Sequence, residues 1–253
     1  MELKDLEKRM RSLEYFSSLR MMPACWPILR LDGRGFSKKT AERFDKPYDL
    51  RFRDLMASAA SALLAELQGI YAYTMSDEIS LLLPRDWPLF DRRVEKVVSI
   101  SAGIASVAFS QALGEPAHFD SRIWMGPDVP HVLDYFRWRQ AEAANNALHS
   151  WCYWTMRRMG KSVAEATRLL RNKSAAYGNE FLFQQGINFN DLPRWQRRGV
   201  GLYWESFEKK GTDPRTGKTA LATRRRVKVD RELPMKDEYG QMLARIIAAC
   251  SNA

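Results

Sequence analysis

The 253-residue sequence predicts an α+β fold, on three observations. Strand, helix, hairpin, helix and strand patterns succeed one another over the first half. That order belongs to the β-α-β-β-α-β plan, in which helices connect neighbouring strands of one sheet. Hydrophobic residues make up 45% of the chain, enough for one or two domains with a substantial core. This excludes disorder, collagen-like repeats and disulfide-stapled miniproteins. Near the C-terminus, two basic strand-like runs flank a turn rich in Gly and Pro.

The elements follow in order. A charged opening helix over about 2–20 leads into a short apolar run, 26–31, that reads as a buried strand. It ends at Asp32-Gly33-Arg34-Gly35, where glycines permit backbone conformations that other residues resist. Asp54 then heads an Ala- and Leu-rich helix, with Gly69 as its expected C-cap. Residues 71–75 and 79–83 are strand-like runs separated only by Ser76-Asp77-Glu78, a pattern that predicts a hairpin with an acidic tip. A helix over 92–113, a strand over 118–125 and a helix over 128–159 come next, the last carrying Trp138, Trp151 and Trp154 as expected core residues. Ser162 and Glu165 form a capping-box pattern that opens another helix. Strands on either side of the turn at 211–219 make the basic hairpin, and a final helix runs over about 236–249.

No contiguous apolar run reaches the roughly 20 residues of a membrane span; the longest, Ile79–Leu83, is interrupted by Ser80. The N-terminus is charged from its second residue and lacks the apolar centre of a signal peptide. Cys25, Cys152 and Cys250 fit neither a disulfide framework nor a zinc spacing, so a reducing cytoplasm and no membrane partner are expected. Net charge is +10, and 194–228 concentrates eleven basic residues against three acidic ones. Such a segment suits a polyanion, whose condensed counterions it displaces.

Asp32 ends one strand and Asp77 tips a hairpin of the same sheet, so both carboxylates project from one sheet edge if those strands are neighbours. Hard oxygen ligands of this kind suit Mg²⁺, completed by water and substrate phosphates. Two such ions would serve phosphoryl transfer, with the Gly33 carbonyl near the metal and the N–H groups of 33–37 presented to a triphosphate. Asp-Gly turns and polar hairpin tips also occur with no ligand at all. His118, His131 and His149 show no zinc spacing, and no Walker A or G-x-S-x-G motif is present.

Six segments in register carry more than any one of them: Arg30–Phe36 (RLDGRGF), Lys46–Asp49 (KPYD), Ser76–Ser80 (SDEIS), Phe119–Arg122 (FDSR), Trp138–Gln140 (WRQ) and Gly186–Asn190 (GINFN). Together they resemble the tRNA(His) guanylyltransferase superfamily, which includes bacterial and archaeal Thg1-like proteins. The resemblance runs from about Pro27 to Arg226. It implies a polymerase-palm-like catalytic region over 1–140, with a helical and basic region, 141–253, packed on it across a soft boundary or forming one domain with it. It also implies Mg²⁺-dependent addition of nucleotides in the 3′-to-5′ direction to the 5′ end of tRNA. A 5′-monophosphate is activated with ATP, and the 3′-hydroxyl of GTP or another nucleoside triphosphate then displaces AMP.

Carried over residue by residue, the resemblance makes Asp32, Asp77 and the Gly33 carbonyl the contacts for two Mg²⁺ ions, with Glu78 as a supporting carboxylate. Arg34, Gly35, Phe36, Ser37 and Ser76 would line the activating nucleotide. Lys46, Arg92, Arg93 and Lys96 would handle triphosphate or the tRNA 5′ end, and Asn146 matches a nucleotide-site asparagine. Arg224, Arg226 and Lys228, on one face of a strand, are the expected RNA contacts. The family commonly forms homotetramers. Two departures stand out. Ala144 and His149 replace the histidine and tyrosine of the family's His-Ile-Asn-Asn-Leu-Tyr segment, which favours a Thg1-like repair enzyme for 5′-truncated tRNA over a strict guanylyltransferase. Gly178 stands where the family carries a phosphate-binding lysine, with Lys173 as a substitute to consider. A non-catalytic RNA-binding protein is the alternative from another class.

Overall fold

The structure, a computed structural model, describes residues 2–212, 215 and 219–251. Six strands form one sheet in the order β4-β1-β3-β2-β5-β6. They are β1 (Trp26–Gly33), β2 (Tyr71–Met75), β3 (Glu78–Leu82), β4 (Phe119–Gly126), β5 (Val200–Thr212) and β6 (Thr219–Asp230). Every neighbouring pair is antiparallel. The first four strands realise the β-α-β-β-α-β plan, and the β5–β6 hairpin extends the sheet from the edge of β2.

Alternation along the strands assigns each sheet face to its own helices. On one face Leu29, Leu31, Ala72, Ile79, Leu81 and Leu202 are buried with Met56, Leu63 and Leu64 of α3 (Leu50–Glu66) and Val97, Ala105 and Phe109 of α4 (Val94–Leu113). On the other, Ile28, Tyr71, Tyr73 and Leu82 meet Tyr135 and Phe136 of α5 (Val129–Arg158) and Tyr239 and Leu243 of the C-terminal helix (Lys236–Ser251). Burial of each such Leu or Ile contributes about 1.5–3 kcal/mol. A third cluster joins the distal half of α5 to α6 (Val163–Leu170) and α7 (Ala175–Gln184), through Leu148, Cys152, Ala166, Leu170 and Leu182.

Several boundaries differ from the sequence expectation. The opening helix α1 ends at Arg11 and buries no residue, because 12–19 fold into successive turns. An eight-residue helix, α2 (Phe36–Arg43), follows β1 directly, where only a turn was expected. α3 begins at Leu50, four residues before Asp54, because the Asp49 carboxylate accepts from the Arg51 N–H and caps it. It ends at Glu66, and the left-handed residue beyond it is Gln68 (φ 54°); Gly69 instead lets Leu81 approach, since a Cβ there would lie 2.6 Å from that side chain. The β2–β3 turn is Ser76-Asp77, and Glu78 already belongs to β3. α4 is long and apolar enough to span a membrane by length and composition, contrary to the expectation; its Ser, Gly and Ala residues interrupt contiguous runs without making the helix polar. Its Val97, Ser101, Ala105 and Phe109 are buried. The capping box at Ser162 and Glu165 forms as expected. The boundary placed at 140/141 falls within α5, one uninterrupted 30-residue helix. Of the turn expected at 211–219, residues 213–214 and 216–218 lie outside the described residues.

Candidate active site

Strand order brings the two acidic turns together. β1 and β3 are direct neighbours, with Asp32 opposite Glu78, and Asp32 also faces Asp120 across β4. The Gly33 N–H donates to the Asp77 carbonyl at 3.0 Å, which ties the end of β1 to the β2–β3 turn. Asp32, Asp77 and Glu78 line one cavity with Tyr48, Arg139 and Asn146. Gly33 is needed for close approach, because a Cβ there would lie 2.6 Å from the Phe36 ring.

Electrostatics separate the three carboxyls. Burial pushes the Asp77 carboxyl above the ordinary carboxylate range; the Ser76 hydroxyl, donating at 3.0 Å, opposes this, and the like charge of Asp32 adds to it. Burial also raises Glu78, but there the Arg139 guanidinium is the main opposing influence. Arg139 grips Glu78 bidentately, with Nε to Oε1 at 2.8 Å and an Nη to Oε2 at 2.7 Å, and also holds Glu142. Glu78 is therefore committed to a side-chain partner, while Asp32 and Asp77 are the pair whose mutual repulsion a cation would relieve.

Among the described residues no group of three or more His, Cys, Asp or Glu is placed to hold a metal. Two carboxylates lining one cavity, Asp32 and Asp77, nevertheless fit Mg²⁺, which characteristically takes one or two carboxylates and fills its remaining positions with water and substrate phosphates.

Beyond Asp77 lies a second cavity, sharing Tyr48, Ser76, Asp77 and Ser150 with the first and reaching Ser37, Lys46 and Trp154. Burial pushes the Lys46 ammonium down while Asp77 and Asp49 hold it up. Its Nζ sits 6.0 Å from the centroid of the Trp154 ring, and Arg158 donates to its carbonyl at 3.3 Å. Asp49 fastens the other side of this loop by accepting the Asp45 N–H at 2.9 Å. Gly35 precedes α2 in a left-handed conformation (φ 71°), and no side chain caps that helix. Its first-turn N–H groups thus stand beside the cavity as donors for an anion.

The other expected site residues divide. Phe36 packs against Phe52, Phe109 and Phe119 and lines the second cavity, whereas Arg34 is exposed with its N–H on the His118 carbonyl. Arg92, Arg93 and Lys96 line neither cavity. Arg92 instead spends its guanidinium on the carbonyls of Met22, Arg85 and Trp87, at 2.7–3.3 Å, and so pins the chain before β1. Arg224, Arg226 and Lys228 do share one face of β6, yet Arg226 and Lys228 both pair with Glu205, at 2.7 and 3.7 Å. Gly178 packs against α5, where a Cβ would lie 3.2 Å from Leu148, and Lys173 lies 4.7 Å from the centroid of the Tyr177 ring in a third cavity that also holds Asn146, His149 and Gly178.

Sequence reasoning missed Arg139, although it quoted the Trp-Arg-Gln segment, because nothing local reveals a partner 61 residues away. It also missed Tyr48, Ser150 and Trp154 as cavity walls. Trp138, expected in the core, is 49% exposed, and Trp151 and Trp154 are only partly buried.

Comparison with known proteins accounts for this arrangement. The family model described as tRNAHis guanylyltransferase matches residues 7–127, and that of the Thg1 C-terminal domain matches 130–243. The chain is 35% identical over 209 residues to a tRNA(His) guanylyltransferase of Debaryomyces hansenii, covering 76% of this chain and 79% of the relative. Its fold is similar to a bacterial tRNA(His) guanylyltransferase (Thg1)-like protein solved with GTP, with a TM-score of 0.74, 25% identity, and coverage of 96% and 99% of the two chains. The same comparison with a bacterial Thg1-like protein solved with ATP gives a TM-score of 0.74 at 26% identity and the same coverage. With both family models spanning most of its length and an antiparallel palm-like sheet carrying the acidic turns, the chain belongs to the tRNA(His) guanylyltransferase family of nucleotidyltransferases.

Proposed function

We propose that this protein is a Mg²⁺-dependent 3′-to-5′ nucleotidyltransferase that restores the 5′ ends of truncated tRNAs under the direction of the opposite strand. The observation that carries the reading is the meeting of Asp32 and Asp77 in a cavity continuous with the Lys46 and Ser37 pocket. Asp32, Asp77 and the Gly33 carbonyl would hold the metal, which supplies charge neutralisation at the reacting phosphate and activation of the attacking oxygen.

The residues of this chain do the rest. Lys46 and the uncapped N-terminus of α2 hold the triphosphate, since phosphoryl transfer depends mainly on positioning and on neutralising developing charge. Arg139 keeps Glu78 fixed beside Asp32 without competing for the ligand positions. A 5′-monophosphate oxygen attacks the α-phosphorus of ATP and releases pyrophosphate. The 3′-hydroxyl of the incoming nucleotide then attacks the tRNA 5′ phosphorus and releases AMP. The bacterial relatives solved with GTP and with ATP support both triphosphates as ligands.

Ala144 and the exposed His149 favour repair over a dedicated tRNA(His) activity, because the side chains that mark the strict enzymes are replaced. The test is single-turnover extension of 5′-monophosphorylated tRNAs lacking their first nucleotide, with ATP, Mg²⁺ and all four triphosphates. Complementary addition to a non-histidine tRNA, absent with Asp77→Asn, is expected. Addition to tRNA(His) alone would make the protein a strict guanylyltransferase, and RNA binding with no addition to any substrate would favour a binding protein.

A further inference from the structure

Beside the acidic cavity runs a ledge that the reaction as described does not use. Arg30 of β1 and Arg122 of β4 are direct cross-strand partners, so two like charges face each other on one side of the sheet. Such a pair destabilises a sheet unless something else is gained. Arg122 is exposed and, among the described residues, pairs with the likewise exposed Asp120, at 3.0 Å. Beside Arg30 stands Trp138, with the Arg30 guanidinium 5.9 Å and that of Arg139 4.6 Å from its ring centroid, and with Tyr135 packed edge-on against it. An indole left 49% exposed with two guanidinium groups beside it forgoes burial that it could have had. Arg30 lies two residues before Asp32 on the same strand and face, roughly 7 Å away along β1.

We infer that Arg30, Arg122 and Trp138 form the seat of the RNA acceptor's 5′-terminal nucleotide, the guanidinium pair taking phosphate and the indole stacking the terminal base. Phosphate recognition suits arginine, and a base has a π-face whatever its identity, so such a seat serves many acceptors. Its position one step from Asp32 would deliver the 5′ phosphorus to the reaction centre. The inference rests on the nucleotidyltransferase reading above.

The test uses a 5′-truncated tRNA with 2-aminopurine as its terminal nucleotide, titrated with the full-length protein in Mg²⁺ without triphosphate. Stacking on Trp138 quenches the probe. Trp138→Leu is expected to bind about 5- to 150-fold more weakly and to lose the quench, the range for removing one base-stacking ring. Trp138→Phe should keep both. Arg122→Ala should lower the slope of log affinity against log salt by about one while keeping the quench. If wild type extends the tRNA and Trp138→Leu matches it in quench and affinity, the seat is overturned while the nucleotidyltransferase reading stands. A wild type that neither binds nor extends the tRNA overturns both.

Discussion

Replacing Asp49 with alanine tests how the fold holds Lys46 at the site. The Asp49 side chain is 4% exposed and accepts the Arg51 N–H at 2.7 Å, the Asp45 N–H at 2.9 Å and the Arg51 guanidinium at 2.6 Å. Losing an N-cap costs about 1 kcal/mol. Leaving the Asp45 N–H without its acceptor in a partly buried loop costs about 1–3 kcal/mol more. The sum, about 2–4 kcal/mol, lowers the melting temperature by roughly 4–16 °C for a chain of this size. Arg51 and the neighbouring N–H groups hold the Asp49 carboxyl well below its ordinary range. Its folded pKa is thus depressed, and its contribution is fully present above the unfolded value near ~3.9 and fades as pH falls toward the folded one. Urea denaturation of wild type and Asp49→Ala at pH 7, 5 and 3 measures this directly. The gap between the two should be constant from pH 7 to 5 and narrower at pH 3. In the extension assay the variant should also raise KM for the triphosphate, because the loop carrying Lys46 has lost its anchor. A gap below about 0.5 kcal/mol at pH 7, or one that widens on acidification, would refute the reasoning.

Three further outcomes follow from the same geometry. Arg139→Met strands the half-buried Glu78 and should cost about 3–5 kcal/mol, with much of it recovered in the Arg139→Met/Glu78→Gln double variant, as read from a double-mutant cycle of urea midpoints. Asp77→Asn removes a half-buried carboxylate that burial and Asp32 both disfavour, so in EDTA its melting temperature should equal or exceed that of wild type while nucleotide addition is lost. Cys152, buried and with its thiol pushed up to about 11, should resist iodoacetamide at pH 8 in the native protein, whereas the partly exposed Cys25 reacts first, as mass spectrometry of timed aliquots would show.

How much of this was legible beforehand depended on the range of the interaction involved. The strand-like runs at 71–75 and 79–83 and the short polar break between them made the hairpin legible, because strand pairing across a short turn is local; that the turn is only Ser76-Asp77 emerged from the pairing of Met75 with Glu78. The capping box at Ser162 was readable for the same reason. Sequence pattern placed the head of α3 at Asp54, four residues past its start at Leu50. Asp49 became the cap through its contacts with Asp45 and Arg51, which tie it into the Lys46 loop.

The sequence by itself determined the succession of strands and helices along the chain, the acidic turn between β2 and β3 and the basic face of the C-terminal hairpin, since each rests on short-range periodicity and turn residues. Only the tertiary structure decided what became of the cations. Arg92 turned to backbone carbonyls, Arg139 closed on a glutamate 61 residues earlier, Arg226 and Lys228 were drawn to Glu205, and Arg30, beside an exposed tryptophan, came to face Arg122. A long, flexible cationic side chain carries no local signal of its partner; which acceptor or ring it meets is set by which strands and helices the whole fold places within its reach.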